Sequence, residues 1–349
     1  MNRGATNNGP HDVTVIAPSN IALIKYWGKD DATCNWPANS SLSMTLKNSC
    51  TTTRISSSNS DNHELYFDGQ KLDVNNSFAQ KTWAQLERIR QYLNPNQSLT
   101  PLCIESKNSF PSGCGIASSA SSMAALTLGL YYFLSDDRNF IYHKDVAKLQ
   151  NLADLARRGS GSACRSLLGG FVKWERGDNP NAQRVAPLIN GFSETIADTI
   201  VVISDETKSI SSTEAHRYVK SSPLFTTRIA GISERLKLIE YSIEHGDWSE
   251  IGPWIEQEAL DIHLLSMTAT PAISYLSQNS WDFLVWLRNY RRDTSIPVFF
   301  TIDAGPNIHL LSPLSFHARI VEDIKSNFPD FRLILDQGGE GPEINCHPI

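Results

Sequence analysis

The sequence predicts an α+β fold with antiparallel sheets, divided into two halves. Segments typical of strands and of helices are mixed in both halves, without the regular strand–helix alternation of a doubly wound fold. The length of 349 residues fits two domains of ordinary size. A cluster of Asp, Asn, Pro and Gly between residues 178 and 191 marks a boundary, and we expect domains at 1–190 and 191–349. A hairpin turn would have the same composition, so both interpretations stay open at this point.

The first half begins with a polar, Gly- and Asn-rich arm at residues 1–10 and continues mainly in β-prone segments. The Asp68-Gly69 dipeptide favours a hairpin turn after one of them. Strands are predicted at 13–17, 43–57, 64–67, 103–106 and 169–174. Helices are predicted from apolar periodicity, or from a continuous run of small and apolar residues, at 75–92, 118–134 and 144–157.

The second half is richer in helices. It opens with an apolar strand at 199–204. Helical periodicity then predicts helices at 224–245, 248–265, 273–291 and 315–327. Two further strands are predicted at 297–303 and 331–335.

Composition and charge describe an ordinary globular protein, in which 40% of the residues are hydrophobic. The formal net charge is −6, from 31 Lys and Arg against 37 Asp and Glu, and no basic run is present, which disfavours nucleic acid or an anionic membrane as partner. No apolar stretch approaches the ~20 residues that span a bilayer. The six cysteines form no C-x-x-C pair, a pattern typical of reduced thiols, so we expect a cytoplasmic protein.

Residues 110–122 form a Gly- and Ser-rich segment that leads into a predicted helix. Backbone N–H groups at such a helix start can bind phosphate, and Gly113 and Gly115 allow the backbone to approach closely. No G-K-[ST] closes the segment, so it is not a Walker A loop. A tight turn before a serine-capped packing helix would give the same sequence. The serines that offer hydroxyl groups to phosphate or a metal are Ser118, Ser119 and Ser121.

Two short segments carry basic residues in unusual surroundings. Lys25 and Lys29 flank an aromatic pair, and two ammonium groups suit a polyanionic ligand such as a diphosphate. Solvated surface lysines are the alternative. Arg165 stands among glycines and serines just before a predicted strand, where its guanidinium group can fork onto a carboxylate or phosphate.

Asp303 follows an apolar strand and enters a turn that contains Gly and Pro. A carboxylate in that position can orient and deprotonate a substrate hydroxyl group in phosphoryl transfer, although Asp is also common in turns for structural reasons. Patterns for other chemistry are weak, since neither H-E-x-x-H nor G-x-S-x-G occurs. Cys114 and Cys164 lack a sequence-adjacent His base, and for His309 we expect a structural role.

Taken in order, these motifs resemble the diphosphomevalonate decarboxylase family of the GHMP kinase superfamily. K-Y-W-G-K at 25–29, S-G-S-A-C-R-S at 160–166 and D-A-G-P-N at 303–307 carry the resemblance in combination. The other matching segments are 17–24, 37–43, 110–122, 169–174 and 204–213.

The resemblance implies a two-domain GHMP kinase-like fold. Its N-terminal domain would be ribosomal protein S5 domain 2-like and its C-terminal domain ferredoxin-like, with the active site in the cleft between them. The implied reaction is phosphorylation of the tertiary 3-hydroxyl group of (R)-5-diphosphomevalonate by ATP, followed by loss of phosphate and CO₂ to give isopentenyl diphosphate. The implied cofactors are ATP and Mg²⁺, and the implied assembly is a homodimer without nucleic acid or membrane partners.

The resemblance also assigns roles by matching positions. Asp303 would be the base or orienter for the 3-hydroxyl group, Arg165 would hold the substrate carboxylate, and Lys25 is the third implied catalytic residue. The implied substrate-binding residues are Tyr26, Trp27, Lys29, Ser160, Ser162, Arg165, Ser211 and Ser212. The implied ATP-binding residues are Pro111, Ser112, Gly113, Gly115, Ala117, Ser118, Ser119 and Ser121, with Ser119 also a ligand of Mg²⁺.

The chain departs from the family pattern at three places. Residues 112–115 read S-G-C-G where the family more usually has Thr-Ala-Ala-Gly, Ala215-His216 stands where a Gly-Met pair is frequent, and Trp36 replaces a usual Leu. Two alternatives therefore stay open: a decarboxylase specific for 5-phosphomevalonate, and a mevalonate 3-kinase-like enzyme that stops at the phosphorylated product. A catalytically silent ligand-binding homologue is disfavoured, because Asp303 and Arg165 are both present.

Overall fold

The computed structural model describes residues 12–96, 98–111, 116, 118–135, 141–188, 192–204 and 210–347. The predicted polar arm and most of the predicted phosphate loop lie outside these ranges. Within them the chain forms two large, mostly antiparallel sheets with helices packed against them and a separate two-stranded sheet, which confirms the predicted α+β class.

Strands and helices alternate irregularly along the chain. The strands are β1 (Asp12–Ile24), β2 (Lys29–Asp31), β3 (Trp36–Pro37), β4 (Ser41–Ser57), β5 (Glu64–Phe67), β6 (Gln70–Lys71), β7 (Leu102–Asn108), β8 (Phe171–Glu175), β9 (Arg184–Pro187), β10 (Ile196–Val202), β11 (Phe299–Thr301), β12 (Ile308–Pro313), β13 (Arg332–Gln337) and β14 (Glu343–His347). The α-helices are α1 (Ser77–Leu93), α2 (Ser118–Leu134), α3 (Val146–Gly159), α4 (Ser212–Tyr218), α5 (Phe225–His245), α6 (Trp248–Met267), α7 (Gln278–Thr294) and α8 (Leu314–Asn327). A 3₁₀ helix follows α3 at Gly161–Leu167.

The larger sheet has the strand order β14-β1-β4-β7-β5-β6, and β4 also pairs with β8, which pairs with β9. All of these pairs are antiparallel except β5 with β7. The predicted hairpin turn joins β5 to β6, where Asp68 (φ 47°) and Gly69 (φ 78°) both adopt the positive φ of a tight hairpin turn.

One face of the larger sheet is covered by helices, and α2 is the central one. Almost every residue of α2 is buried, as the predicted run of small and apolar residues requires. Val13 and Val15 of β1 and Ile55 of β4 meet α2 in one hydrophobic core. A Cβ atom on Gly129 of α2 would lie 2.9 Å from Ile55 Cδ1, so a small residue is needed at this contact.

The smaller sheet has the order β11-β12-β10-β13 and is antiparallel throughout. Its chain order is one strand, the helices α4 to α7, two strands, α8 and a last strand, which is the succession of a ferredoxin-like fold. None of the helices in the described ranges is both long and apolar enough to cross a membrane.

The region proposed as a domain boundary contains a hairpin. β8 and β9 are antiparallel neighbours, and residues 178–183 form the loop between them. The exact division at 190/191 stays a prediction, because residues 189–191 lie outside the described ranges. The last strand, β14, departs from the predicted division, since it returns to the first half and pairs with β1.

The two halves are held together beside the cleft by backbone contacts and by shared apolar packing. Asp336 of β13 accepts hydrogen bonds from the backbone N–H groups of Lys47, Asn48 and Ser49 at 2.8–3.0 Å. A buried apolar cluster contains Ile21 and other residues of the first half together with Phe299 and its neighbours in the second. The halves therefore form one packed body around the cleft.

Candidate active site

A cleft of about 850 Å³ lies between the two halves. Its walls are the end of β1, the first turns of α1 and α2, the 3₁₀ helix at Gly161–Leu167, helix α4 and the loop after β11. This volume is within the range of ~300–1,000 Å³ typical of small-molecule sites. Of the predicted site residues, those that line it are Lys25, Tyr26, Trp27, Lys29, Ser118, Ser119, Ser160, Ser162, Arg165, Ser212 and Asp303.

An ion pair joins the two halves at the cleft wall. Lys25 Nζ lies 2.6 Å from Asp303 Oδ1, with the lysine side chain 2% exposed and the aspartate side chain 28% exposed. Burial lowers the pKa of Lys25, and the Asp303 carboxylate opposes this shift. An opposite charge at this distance favours the ionised carboxylate. The pair thus presents a carboxylate to the cleft with a cation directly behind it.

A buried polar network fixes the backbone of Lys25. Glu258 of α6 is fully buried, and its Oε1 accepts a hydrogen bond from the backbone N–H of Lys25 at 3.0 Å. Arg228 of α5 pairs with the same carboxylate and donates to the backbone oxygen of Lys25 at 3.1 Å. Asn39 donates to that oxygen at 2.9 Å, and Arg235 pairs with the other oxygen of Glu258. Both backbone polar groups of Lys25 are therefore held from the second half.

We expect Glu258→Gln to destabilise the fold strongly. The amide keeps the shape of the side chain but leaves Arg228 without its counter-charge in the interior and Arg235 with Asp261 alone, a change that costs about 3–5 kcal/mol. Chemical denaturation measures the free energy of unfolding. Glu87→Gln, which removes the exposed Glu87–Arg90 pair, is the matched control and should leave that free energy nearly unchanged. Equal effects of the two substitutions would contradict the role given to the buried network.

Three hydrogen bonds hold the guanidinium group of Arg165 in place. It is 2% exposed, and its guanidinium group donates to Ser43 Oγ (3.0 Å), Ser41 Oγ (2.5 Å) and Asn20 Oδ1 (3.2 Å). A guanidinium group has five N–H donors, so two of them, one on each terminal nitrogen, have no partner among the residues that the structure describes. Two parallel N–H donors suit bidentate binding of a carboxylate in the cleft.

An aromatic wall follows Lys25. The Tyr26 ring lies 4.9 Å from that of Trp174 and 4.4 Å from that of His216, and Trp27 lies 4.8 Å from His216. A Cβ atom on Gly161 would lie 2.4 Å from the Tyr26 ring, so the glycine of the S-G-S motif is required for this packing.

Beyond the aromatic wall the cleft is strongly cationic. Lys29 donates to Asn35 Oδ1 at 2.6 Å, and burial, followed by the charges of Arg217 and Lys81, lowers the pKa of Lys29 to about 8. The other basic residues that line the cleft in addition to Lys25 and Arg165 are Lys81, Arg88, Arg158, Arg217 and Lys220. A protein with a net negative charge thus presents a cationic surface locally, as a polyanionic ligand requires.

The start of α2 supplies the described part of the predicted phosphate loop. Ser118 and Ser119 line the cleft at this helix start, and Ser160 Oγ lies 3.3 Å from Ser119 Oγ. Backbone N–H groups and the helix dipole favour an anion here. Ser122, which the sequence analysis did not single out, also lines the cleft. The predicted residues Ser112, Gly113, Gly115 and Ala117 lie outside the described ranges.

Three of the predicted contact residues have other positions. Ser121 is fully buried and its hydroxyl group bonds to Thr51 Oγ1 (2.7 Å), because it lies on the core face of α2. Ser211 is the N-cap of α4 and forms a capping box with Glu214. Pro111 is exposed beyond β7 and does not line the cleft. The structure gives the hydroxyl groups of Ser121 and Ser211 protein partners, and the ligand contacts of all three residues stay predictions.

Other chemistry is disfavoured by the described residues. No group of three or more His, Cys, Asp or Glu residues there could hold a metal ion. Cys164 is buried, and burial raises the pKa of its thiol to about 12. His309 is buried against Asp198 at 2.7 Å on β12, away from the cleft, which fits the predicted structural role. The described cysteines Cys34, Cys50, Cys103, Cys164 and Cys346 are all free.

Comparisons with known proteins identify the family. Residues 17–186 match the diphosphomevalonate decarboxylase-like N-terminal domain, and residues 199–342 match the mevalonate 5-diphosphate decarboxylase C-terminal domain. The chain is 36% identical over 315 residues to a diphosphomevalonate decarboxylase of Aspergillus fumigatus, covering 84% of this chain and 75% of that protein. The chain belongs to the diphosphomevalonate decarboxylase family.

Other members of the diphosphomevalonate decarboxylase family are similar to this chain over most of their length. The Homo sapiens enzyme is 32% identical over 340 residues, which cover 91% of this chain and 80% of that protein. A solved complex of MDDEF with MVAPP, AMPPCP and magnesium superposes with a TM-score of 0.85 at 29% identity, over 96% of this chain and 98% of that one. The mevalonate diphosphate decarboxylase of Staphylococcus aureus has the same TM-score and identity. The predicted GHMP kinase-like fold is confirmed by these neighbours.

Proposed function

We propose that this protein converts (R)-5-diphosphomevalonate and ATP into isopentenyl diphosphate, ADP, phosphate and CO₂. The observation that carries the proposal is the Lys25–Asp303 pair beside a buried Arg165 with two unused N–H donors, in a cleft whose far end is cationic. Family membership and the solved complex of a relative with MVAPP and an ATP analogue support it.

In this proposal Arg165 and Asp303 act on two different groups of one substrate, the C1 carboxylate and the 3-hydroxyl group. Arg165 binds the C1 carboxylate through its two unused N–H groups. Asp303 orients the 3-hydroxyl group and accepts its proton as the oxygen bonds to the γ-phosphorus of ATP, late in the transfer. The Lys25 ammonium group, 2.6 Å away, is the counter-charge of that carboxylate before the transfer.

Decarboxylation follows from the new leaving group. The C3–O bond breaks and phosphate departs with the electron pair, which leaves developing positive charge at C3. Asp303 passes its proton to the departing phosphate, and the restored carboxylate is placed to stabilise that charge. The C1–C2 bond then supplies the electrons of the C2–C3 double bond, and CO₂ leaves from the Arg165 site.

ATP supplies the phosphoryl group, and the described residues fit its phosphates. Ser118, Ser119 and Ser122 line the cleft at the start of α2, where a helix end favours negative charge. Mg²⁺ usually binds through nucleotide phosphates, waters and few protein ligands. A carboxylate cluster is therefore not required, and we assign the hydroxyl group of Ser119 as its protein ligand. We further propose a cytoplasmic location, which the free cysteines of the described residues support. We also propose a homodimer, the assembly that the resemblance to the family implies.

Lys29 predicts a pH dependence of substrate binding. Because its pKa is lowered to about 8, Lys29 is charged below that pH and loses its charge above it. A phosphate group has its second pKa near 6, so the substrate charge hardly changes above about pH 7. We therefore expect the KM for diphosphomevalonate to rise about 10-fold as the pH increases from about 7 to about 9.

The matched control for this prediction is Lys29→Arg. Arginine keeps its charge throughout this range, so the increase in KM above pH 8 should disappear in the variant. Steady-state kinetics at saturating ATP measure both profiles. The same increase in both proteins would show that another group is responsible.

The reaction type is tested by measuring ADP and CO₂ together in one reaction mixture with Mg²⁺-ATP and 5-diphosphomevalonate. The proposal requires equal amounts of the two products. ADP without CO₂ would make the protein a 3-kinase, and neither product would make it a silent binding protein.

A further inference from the structure

His216 lies at the cleft wall, where one ring nitrogen is hydrogen-bonded to the backbone and the other has no partner among the described residues. The ring is 7% exposed, packs against Tyr26 and Trp27, and lines the cleft. Its Nδ1 accepts a hydrogen bond from the backbone N–H of Gly28 at 3.0 Å. Nε2 has no hydrogen-bond partner among the described residues, and it is not completely enclosed by protein atoms. Because the ring lines the cleft, a ligand bound there can reach the accessible part of this nitrogen.

The bond from Gly28 determines where the imidazole proton lies. A nitrogen that accepts from an N–H group carries a lone pair and no hydrogen, so the neutral ring has its proton on Nε2. Burial and the nearby charges of Lys29 and Arg228 lower the pKa of His216 well below its ordinary value, which keeps the ring neutral. The cleft wall thus contains a fixed N–H donor that none of the described residues accepts from.

The surroundings of His216 indicate the ligand group. Gly28, its partner, directly precedes Lys29 in the chain, and Arg217 directly follows His216 in α4. Lys220, in the 3₁₀ turn that directly follows α4, also lines the cleft, and Lys81 faces it from α1. The carboxylate site at Arg165 is formed by other elements, the 3₁₀ helix with β1 and β4. A neutral donor surrounded by cations suits a phosphate oxygen.

We propose that His216 donates its Nε2–H to a phosphate oxygen of the 5-diphosphate group and is a specificity-determining residue for that group. This inference rests on the proposed function, since it takes diphosphomevalonate as the substrate. It gives the Ala215-His216 departure from the family pattern a role in binding, with a polar donor at a position where the family often has Met.

Two substitutions separate this role from a structural one. Asparagine places an oxygen near the position of Nδ1 and keeps an acceptor for Gly28, but it has nothing near Nε2. Glutamine places an amide N–H near Nε2 but loses the close acceptor for Gly28. The proposal predicts that His216→Asn raises the KM for diphosphomevalonate about 10-fold or more, with the KM for ATP unchanged, and that His216→Gln stays within about 3-fold of wild type. The opposite order would assign His216 a structural role and overturn the proposal.

A measurement on the unaltered protein decides the question if either variant fails to fold. In protein labelled with ¹⁵N-histidine, the His216 Nε2–H signal should shift when diphosphomevalonate is added without ATP, and shift less with 5-phosphomevalonate. An unmoved signal in a protein that binds and turns over the diphosphate would overturn this inference alone. Absence of CO₂ release from the wild type would instead overturn the proposed function.

Discussion

Asp303→Asn is expected to lower kcat for CO₂ release by about 10³-fold or more. The amide cannot accept the proton of the 3-hydroxyl group, a role worth about 10²–10⁴-fold, and it cannot stabilise the positive charge that develops at C3. It also removes the counter-charge of Lys25, whose ammonium group lies 2.6 Å from the carboxylate. Initial rates at saturating substrate measure the loss.

The interpretation of that loss needs proof that the variant still folds and binds. Asn has nearly the shape of Asp, so the variant should still fold, with a lower unfolding temperature because buried Lys25 loses its counter-charge. Binding of ATP should be retained, because the nucleotide is assigned to the start of α2. A variant that keeps more than a tenth of the wild-type rate would contradict the role of Asp303.

Arg165→Lys is expected to reduce kcat/KM for diphosphomevalonate by about 10²-fold or more. Lysine keeps the positive charge but loses the planar fork that would bind the carboxylate with two parallel N–H groups. It also leaves acceptors of Ser41, Ser43 and Asn20 without their donor. Removing one partner of a buried, hydrogen-bonded charge pair typically costs about 2–5 kcal/mol. Steady-state kinetics in both substrates should place the loss in kcat/KM for diphosphomevalonate.

A second buried arginine provides the control. Arg157 is 1% exposed and pairs with Asp154, but it does not line the cleft. Arg157→Lys should therefore lower the unfolding temperature without a selective loss in kcat/KM. An equal loss of kcat/KM in both variants would mean that Arg165 acts on stability and not on the substrate.

The fold was predictable where local sequence decides it. Helix α2 has the predicted bounds of 118–134, because a long run of small and apolar residues can be buried only as an inner helix. Helix α7 begins at Gln278 and not at the predicted residue 273, because Ser277 caps it. The short helix α4 and the strand β14 were missed. Seven residues carry little periodicity, and β14 is stabilised by pairing with a strand more than 300 residues away in sequence.

The positions of candidate site residues could be predicted where those residues stand in a recognisable sequence motif. Lys25, Arg165 and Asp303 stand in three separate motifs, and the fold brings them to one cleft. Glu258 and Arg228, which hold the backbone of Lys25, stand in long helices without a local signal, so only tertiary packing reveals them. Ser121 and Ser211 show that a serine in a motif can also bond within the core or cap a helix, so their predicted ligand contacts stay predictions. The roles of all these residues stay predictions until the variants are measured.

The central claim is tested most directly by comparing the wild-type protein on two substrates. ADP and CO₂ are followed together with Mg²⁺-ATP, once with 5-diphosphomevalonate and once with 5-phosphomevalonate. The cationic end of the cleft predicts equal release of both products from the diphosphate, at a kcat/KM well above that for the monophosphate. A higher kcat/KM for the monophosphate would contradict the assigned substrate, and ADP release without CO₂ from either would contradict the assigned reaction.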